Sequence, residues 1–135
     1  MTLAVTEGGC LCATIRYRIT GAPLARSLCH CRSCRLASGA PSVAWIVVRI
    51  QDFNIVSGDP KTFRSSPRVM RTFCGACGTP LTYQHDDSPD TIDVTTATLD
   101  RAELFAPTRE IWLEQKVVWQ MLNPTLRHYP RNSGE

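Results

Sequence analysis

Phe73-Cys74-Gly75-Ala76-Cys77-Gly78 reads as the end of a strand turning through a glycine-rich corner between two thiols. A counterpart stands near the start of the chain, Gly8-Gly9-Cys10-Leu11-Cys12. Glycines at both corners let the backbone turn sharply and bring its N–H groups towards sulfur. Together the two pairs supply four thiolates, the ligand number of a closed, structural zinc site. A metal held by Cys10, Cys12, Cys74 and Cys77 closes a loop of about sixty residues and ties the beginning of the chain to its middle. Structural zinc in small domains contributes about 10–16 kcal/mol of apparent binding energy at neutral pH. The bland alternative, two unrelated pairs of buried thiols, fits this knuckle context less well.

The remaining three of the seven cysteines lie between these pairs, in Cys29-His30-Cys31-Arg32-Ser33-Cys34-Arg35. One short segment can thus place three ligands on one metal, and three protein ligands leave a coordination position open for water or substrate. Arg32 and Arg35 flank these thiols, where positive charge favours the thiolate and the metal-bound form. The same guanidinium groups suit the carboxylates of a small anionic ligand; the plain alternative is that they are solvated. His30, His85 and His128 are the candidates for a fourth, closing ligand. His30 lies between two ligands and is expected to point away from their metal, and nothing in the spacing selects the other two. The reading is therefore one structural metal and one open, reactive metal.

Composition agrees with a folded domain that does not need metal merely to compensate for small size. A chain of 135 residues, 43% hydrophobic and 20% charged, fits one domain, expected over residues 1–130 with a loose tail over 131–135. The net charge of +3 comes from fifteen scattered Lys and Arg residues, without the basic stripe that nucleic-acid binding would want. The first residues lack the basic start and apolar run of a signal peptide. The apolar run over 43–48 is too short to span a bilayer. These features predict a cytoplasmic address, where thiols stay reduced and clustered cysteines serve metals or redox chemistry.

Periodicity is mostly strand-like. Ile15, Tyr17 and Ile19 alternate with Thr14, Arg16 and Arg18, a half-buried strand ended by Gly21 and Pro23. Residues 42–50 form a β-branched apolar run with Trp45, suited to a strand covered on both faces. Residues 53–56 lead into the turn Ser57-Gly58-Asp59-Pro60, after which Thr62-Phe63-Arg64 is expected to return as a hairpin partner. Further strands are expected over 69–73, 81–83, 91–98 and 110–118. Helix is limited to a turn or two over 31–38, closed by Gly39, and a turn through Leu104 capped by Asp100. The fold class is mainly β.

In order, Gly9-Cys10-Leu11-Cys12 with Arg16-Tyr17, then Cys29-His30-Cys31-Arg32-Ser33-Cys34-Arg35 with Gly39, then Phe73-Cys74-Gly75-Ala76-Cys77-Gly78-Thr79-Pro80-Leu81 resemble the glutathione-dependent formaldehyde-activating enzyme and centromere protein V family. Ile111-Trp112, Lys116, Trp119 and Tyr129-Pro130 are similar to its C-terminal block, so the resemblance spans residues 6–130. It implies a β-tent of twisted antiparallel sheets, with a structural zinc on Cys10, Cys12, Cys74 and Cys77 and a catalytic one on Cys29, Cys31 and Cys34. It also implies a carbon–sulfur lyase that joins glutathione to formaldehyde as S-hydroxymethylglutathione, or cleaves that adduct. Two residues depart from the family's usual pattern. Ala13 stands where a glycine is usual, and Glu110 where a histidine commonly precedes the Ile-Trp pair. Glu110 is therefore expected, with Arg32 and Arg35, at the substrate, and to alter the chemistry or the substrate if that histidine serves either.

The expected partners are a small thiol such as glutathione and an aldehyde, with no nucleic acid and no membrane. An alternative is a non-catalytic, zinc-stabilised interaction or sensor domain. A third reading, an iron–sulfur or dithiol redox protein, lacks the βαβ pattern that usually surrounds a redox Cys-x-x-Cys.

Overall fold

Alternation of apolar and polar residues along short segments builds two sheets. The structure, a computed structural model, describes residues 4–132. Its strands are β1 (Val5–Gly9), β2 (Arg16–Thr20), β3 (Ala25–Cys29), β4 (Val43–Arg49), β5 (Phe53–Ser57), β6 (Lys61–Ser66), β7 (Val69–Phe73), β8 (Pro80–His85), β9 (Thr91–Thr95), β10 (Arg109–Ile111) and β11 (Arg127–His128). The only α-helix among the described residues is α1 (Arg32–Ser38). The protein is mainly β, as its sequence predicts. One sheet has the order β1-β2-β5, and the other β11-β10-β3-β4-β9-β8-β7-β6. Pairing is antiparallel except where β10 runs parallel to β3 and to β11, so the large sheet is mixed.

The core lies between the sheets. Tyr17 and Ile19 of β2 are buried while Arg18 is exposed, the pattern a half-buried strand requires. They pack with Ile46, Val48, Leu81, Ile92 and Val94 of the large sheet. Each such side chain stabilises the fold by about 1.5–3 kcal/mol on full burial. Strand β4 is used on both faces: Ile46 and Val48 enter this core, and Trp45 joins Cys29 and Cys34 in a second cluster on the other face. The small sheet thus covers one side of the large sheet, and the three-cysteine segment lies on the other.

Close approach at Gly8 locks the small sheet to the segment after β9. A Cβ there would lie 2.5 Å from the Thr98 carbonyl oxygen and against the Tyr17 hydroxyl. That hydroxyl is itself 2.6 Å from Thr98 Oγ1. Gly8→Ala is therefore expected to destabilise the protein by about 1–3 kcal/mol through overpacking, read as a lower denaturant midpoint at unchanged slope.

Several local expectations are corrected. The segment after Ser57-Gly58-Asp59-Pro60 does not form a hairpin with β5. Gly58 takes φ +80° against the Thr14 carbonyl, Pro60 offers no N–H, and the chain crosses to the large sheet, where β6 pairs with β7. The strand expected over 110–118 stops at Ile111, because Trp112 adopts φ 59° and opens a 3-10 turn, Leu113–Gln115. Asp100 does not cap the turn Ala102–Phe105, which follows Arg101 without a side-chain cap, and the Asp100 carboxylate pairs with Arg16. The strand expected over 91–98 ends at Thr95 and continues as a 3-10 turn. Of the tail, Arg131 is held by Glu114 at 2.9 Å and by the Trp112 N–H at 2.9 Å; residues 133–135 lie outside the described ones. No helix among the described residues is long and apolar enough to cross a membrane.

Candidate functional site

The Cys10-Leu11-Cys12 corner follows β1 and folds back on itself, with Cys10 N donating to Ile15 O and Ile15 N to Cys10 Sγ at 3.3 Å. Ala13 closes it at φ 65°. That left-handed conformation favours glycine, the residue usual at this position, so Ala13 carries a Cβ where the backbone disfavours one. Ala13→Gly is expected to stabilise the fold by up to about 1 kcal/mol, relief of the Cβ clash outweighing lost chain stiffness; a chemical denaturation curve reads this directly. The second corner, after β7, is closed by Gly78 at φ +81° and by the Cys77 N–H to Cys74 Sγ contact at 3.4 Å.

These corners bring four sulfurs together from segments far apart in sequence. Cys10 Sγ lies 3.6 Å from Cys12 Sγ, and Cys12 Sγ 3.8 Å from Cys74 Sγ; all four lie within 4.8 Å of one another. Sulfurs on a tetrahedral zinc with 2.3 Å bonds stand about 3.8 Å apart. The donor set fits that ion. Backbone N–H groups aimed at sulfur are also what a thiolate cluster needs, and hydrogen bonds from Thr79 pull the Cys77 thiol down to about 5.

Cys29 ends β3, Cys31 caps α1 and Cys34 sits in its first turn, so the helix folds the segment back on the strand. Cys31 Sγ accepts from the Cys34 N–H at 3.3 Å. Gly39 closes α1 at φ 70°, donating to Arg35 O at 2.7 Å. The three sulfurs also lie within 4.8 Å of one another, a second set of donors able to hold a metal. Without metal, hydrogen bonds from Cys29 and then Cys34 draw the negative charge onto Cys31, and the same bonds push the Cys29 thiol up.

Around them opens a cavity of about 770 Å³, whose walls include Trp45, Tyr83, Asp93, Arg109 and Trp112 with all three cysteines. Its floor is one face of the large sheet. Cross-strand register sets Ala25, Val47, Asp93, Tyr83 and Arg71 in a single row. Arg71 is 8% exposed; its Nη2 lies 3.9 Å from Cys34 Sγ and its guanidinium 5.1 Å over the Tyr83 ring. Ser65 Oγ accepts from its Nε at 3.0 Å.

The other expected residues fall outside this cavity. Arg32 is exposed, with its backbone N–H on Gln115 Oε1, and Arg35 is half-buried; neither lines the wall. Glu110 faces the opposite side of β10 from Arg109 and Ile111, as strand alternation requires. Fully buried, it accepts from the Asn123 N–H at 2.9 Å and pairs with His30 at 2.8 Å and His128 at 3.2 Å. Removing one partner of a buried pair costs roughly 3–5 kcal/mol, so Glu110→Ala is expected to lower stability by that amount in urea unfolding. The histidines stand apart from the three sulfurs: His30 and His128 serve Glu110, and His85 Nδ1 accepts from the Asp87 N–H at 3.1 Å.

Arg71, Asp93, Trp45, Tyr83, Arg109 and Trp112 were not singled out as site residues by sequence. The signal available was a charge placed mid-strand, Asp93 between the apolar Ile92 and Val94 and Arg71 between Met70 and Thr72.

Comparison with known proteins places the chain among relatives in sequence and in fold. Over 79 residues the chain is 30% identical to an uncharacterised lyase of Schizosaccharomyces pombe, covering 58% of this chain and 57% of that protein. The chain thus matches a little over half the length of that relative. A crystal structure of a Rhodobacter sphaeroides protein shares the fold, with a TM-score of 0.61 at 19% identity over 91% of this chain and 98% of the other. The model of the glutathione-dependent formaldehyde-activating enzyme family matches residues 5–115. With both cysteine clusters inside that match, the chain belongs to the glutathione-dependent formaldehyde-activating enzyme family.

Proposed function

We propose that the protein is a zinc-dependent enzyme of the carbon–sulfur lyase type, making or cleaving the adduct of a small thiol, such as glutathione, with an aldehyde such as formaldehyde. The observation that carries this reading is the three-thiol cluster on the wall of a cavity, joined by none of the histidines among the described residues. Zinc on Cys29, Cys31 and Cys34 would supply a Lewis-acidic position facing the cavity. The zinc on Cys10, Cys12, Cys74 and Cys77 is assigned a structural role.

The chain's own residues divide the rest of the work. Arg71 places a fixed positive charge beside Cys34 and favours the thiolate form of Cys31. Trp45, Tyr83 and Trp112 offer flat apolar walls that exclude water from the reacting carbon. Arg109, on the same wall, suits a substrate carboxylate. Arg32, exposed at the start of α1, can act only on parts of a thiol that extend beyond the cavity. Glu110 acts on the site through His30, holding the segment between Cys29 and Cys31. The reaction suits a reducing, cytoplasmic compartment in which free thiols persist.

Magnetisation-exchange NMR between glutathione, formaldehyde and their adduct tests the reading. The two-zinc protein is expected to accelerate exchange above the spontaneous rate. Exchange no faster than without protein would leave a non-catalytic zinc domain instead.

A further inference from the structure

The cavity holds one carboxylate that the reading above leaves unused. Asp93 lies in the middle of β9, opposite Val47 of β4 and Tyr83 of β8, on the sheet face that carries the three cysteines. Among the described residues its carboxylate makes no hydrogen bond and no ion pair. The other titratable groups on the wall are differently engaged. Asp87 pairs with Arg68 at 2.7 Å, and His85 accepts from the Asp87 N–H. Asp90 is exposed at the rim. The Tyr83 hydroxyl, pushed up to about 12 by burial, is a weak acid near neutral pH. Arg109 is a permanent cation.

On the elements packed beside β9, β4 brings Arg49, which stands opposite Thr91, and β8 brings Tyr83 and His85. One strand further, Arg71 of β7 acts on Asp93 and on Cys31 and Cys34 alike. A guanidinium shared between a carboxylate and the thiol cluster marks where negative charge is expected to move.

We propose that Asp93 carries the proton of the reaction, accepting it from the substrate thiol and delivering it to the aldehyde oxygen. This rests on the thiol–aldehyde reading above. In the forward direction the S–H bond breaks and Asp93 takes the proton. The sulfur lone pair forms the S–C bond as the carbonyl π pair moves onto oxygen, which then receives the proton from Asp93. The reverse reaction takes the O–H proton, breaks the S–C bond and returns the proton to sulfur. Nothing is oxidised or reduced, and no co-reactant is required.

The environment of Asp93 suits that exchange. Burial pushes its carboxyl up to about 7, opposed in part by Arg71. A proton carrier is most effective when it titrates near the working pH. The sign for stability is fixed by the same shift. The folded protein binds this proton more tightly than the unfolded chain, so the group's contribution is lost as pH rises through about 7. Asp93→Asn is therefore expected to be folded, and more stable than the wild type at pH 8.

The test follows exchange NMR of glutathione and formaldehyde from pH 5.5 to 9 on wild type, Asp93→Asn and Asp93→Glu, with zinc content and glutathione affinity measured on each. In parallel, carboxyl 13C NMR of Asp-labelled protein follows the titration directly. Expected are a wild-type acceleration that rises through pH 7, a carboxyl titrating there that is missing in Asp93→Asn, and a fall of roughly 100-fold, or to the spontaneous rate, in that variant. Asp93→Glu should retain a shifted limb. Zinc content and glutathione affinity should not change. If Asp93→Asn keeps the wild-type rate and pH limb, Asp93 carries no proton while the lyase reading stands. If wild type itself gives no acceleration, that reading fails and the role of Asp93 falls with it.

Discussion

Cys74→Ser is expected to leave the protein without a stable fold. Cys74 is buried, and its sulfur lies 3.8 Å from that of Cys12, so it links the end of β7 to the corner after β1. The variant loses a thiolate from a four-ligand site and leaves a polar hydroxyl among the remaining thiols. The stake is the binding energy of structural zinc, about 10–16 kcal/mol, against a whole-domain stability of about 5–15 kcal/mol. Loss of even half of the metal term removes the fold at ordinary temperature. The measurement is circular dichroism and zinc content of Cys74→Ser, with wild type treated with a strong chelator as the parallel case. A cooperative thermal transition within a few degrees of wild type would show that the small sheet holds to the large one without this metal.

Cys31→Ser is expected to behave in the opposite way, keeping the fold and losing the reaction. Cys31 lies at the helix cap, half-buried, and is not part of the core between the sheets. Serine can take over the cap, since its hydroxyl also accepts from the N–H three residues on, and the stability change should stay within about 1 kcal/mol. The thiol on which the cluster's charge gathers is gone, however. Exchange of glutathione and formaldehyde should fall to the spontaneous rate, with one zinc equivalent lost and a thermal midpoint close to wild type. A variant that keeps full acceleration would move the chemistry away from this cluster.

Much of this was legible because strong local signals agreed with one another. Cysteine spacing separated the four-ligand set from the three-ligand set, and both sets assemble in space as read. Alternation in β2 and the two-sided apolar run of β4 placed the core and the cavity floor. What local pattern could not supply was register. Strands β1 and β3, short and rich in small or polar residues, carried too little periodicity to be singled out. The row from Asp93 through Tyr83 to Arg71 exists only because β7, β8 and β9 pair as they do. The same limit explains the expectations for Arg32, Arg35 and Glu110. Proximity in sequence to a thiol or to a Trp-bearing motif says nothing about which face of a strand or helix a side chain takes, and Glu110 takes the face away from the cavity. The crossover at Gly58 and the break at Trp112 depend on positive φ angles; glycine signals the first, and no residue type announces the second.

The division of seven cysteines into four and three is tested most directly by zinc stoichiometry in wild type and Cys31→Ser. The account predicts two zinc equivalents per wild-type chain and one in the folded Cys31→Ser variant. A single equivalent in both proteins would contradict it, leaving the cavity cluster without the metal on which the proposed chemistry depends.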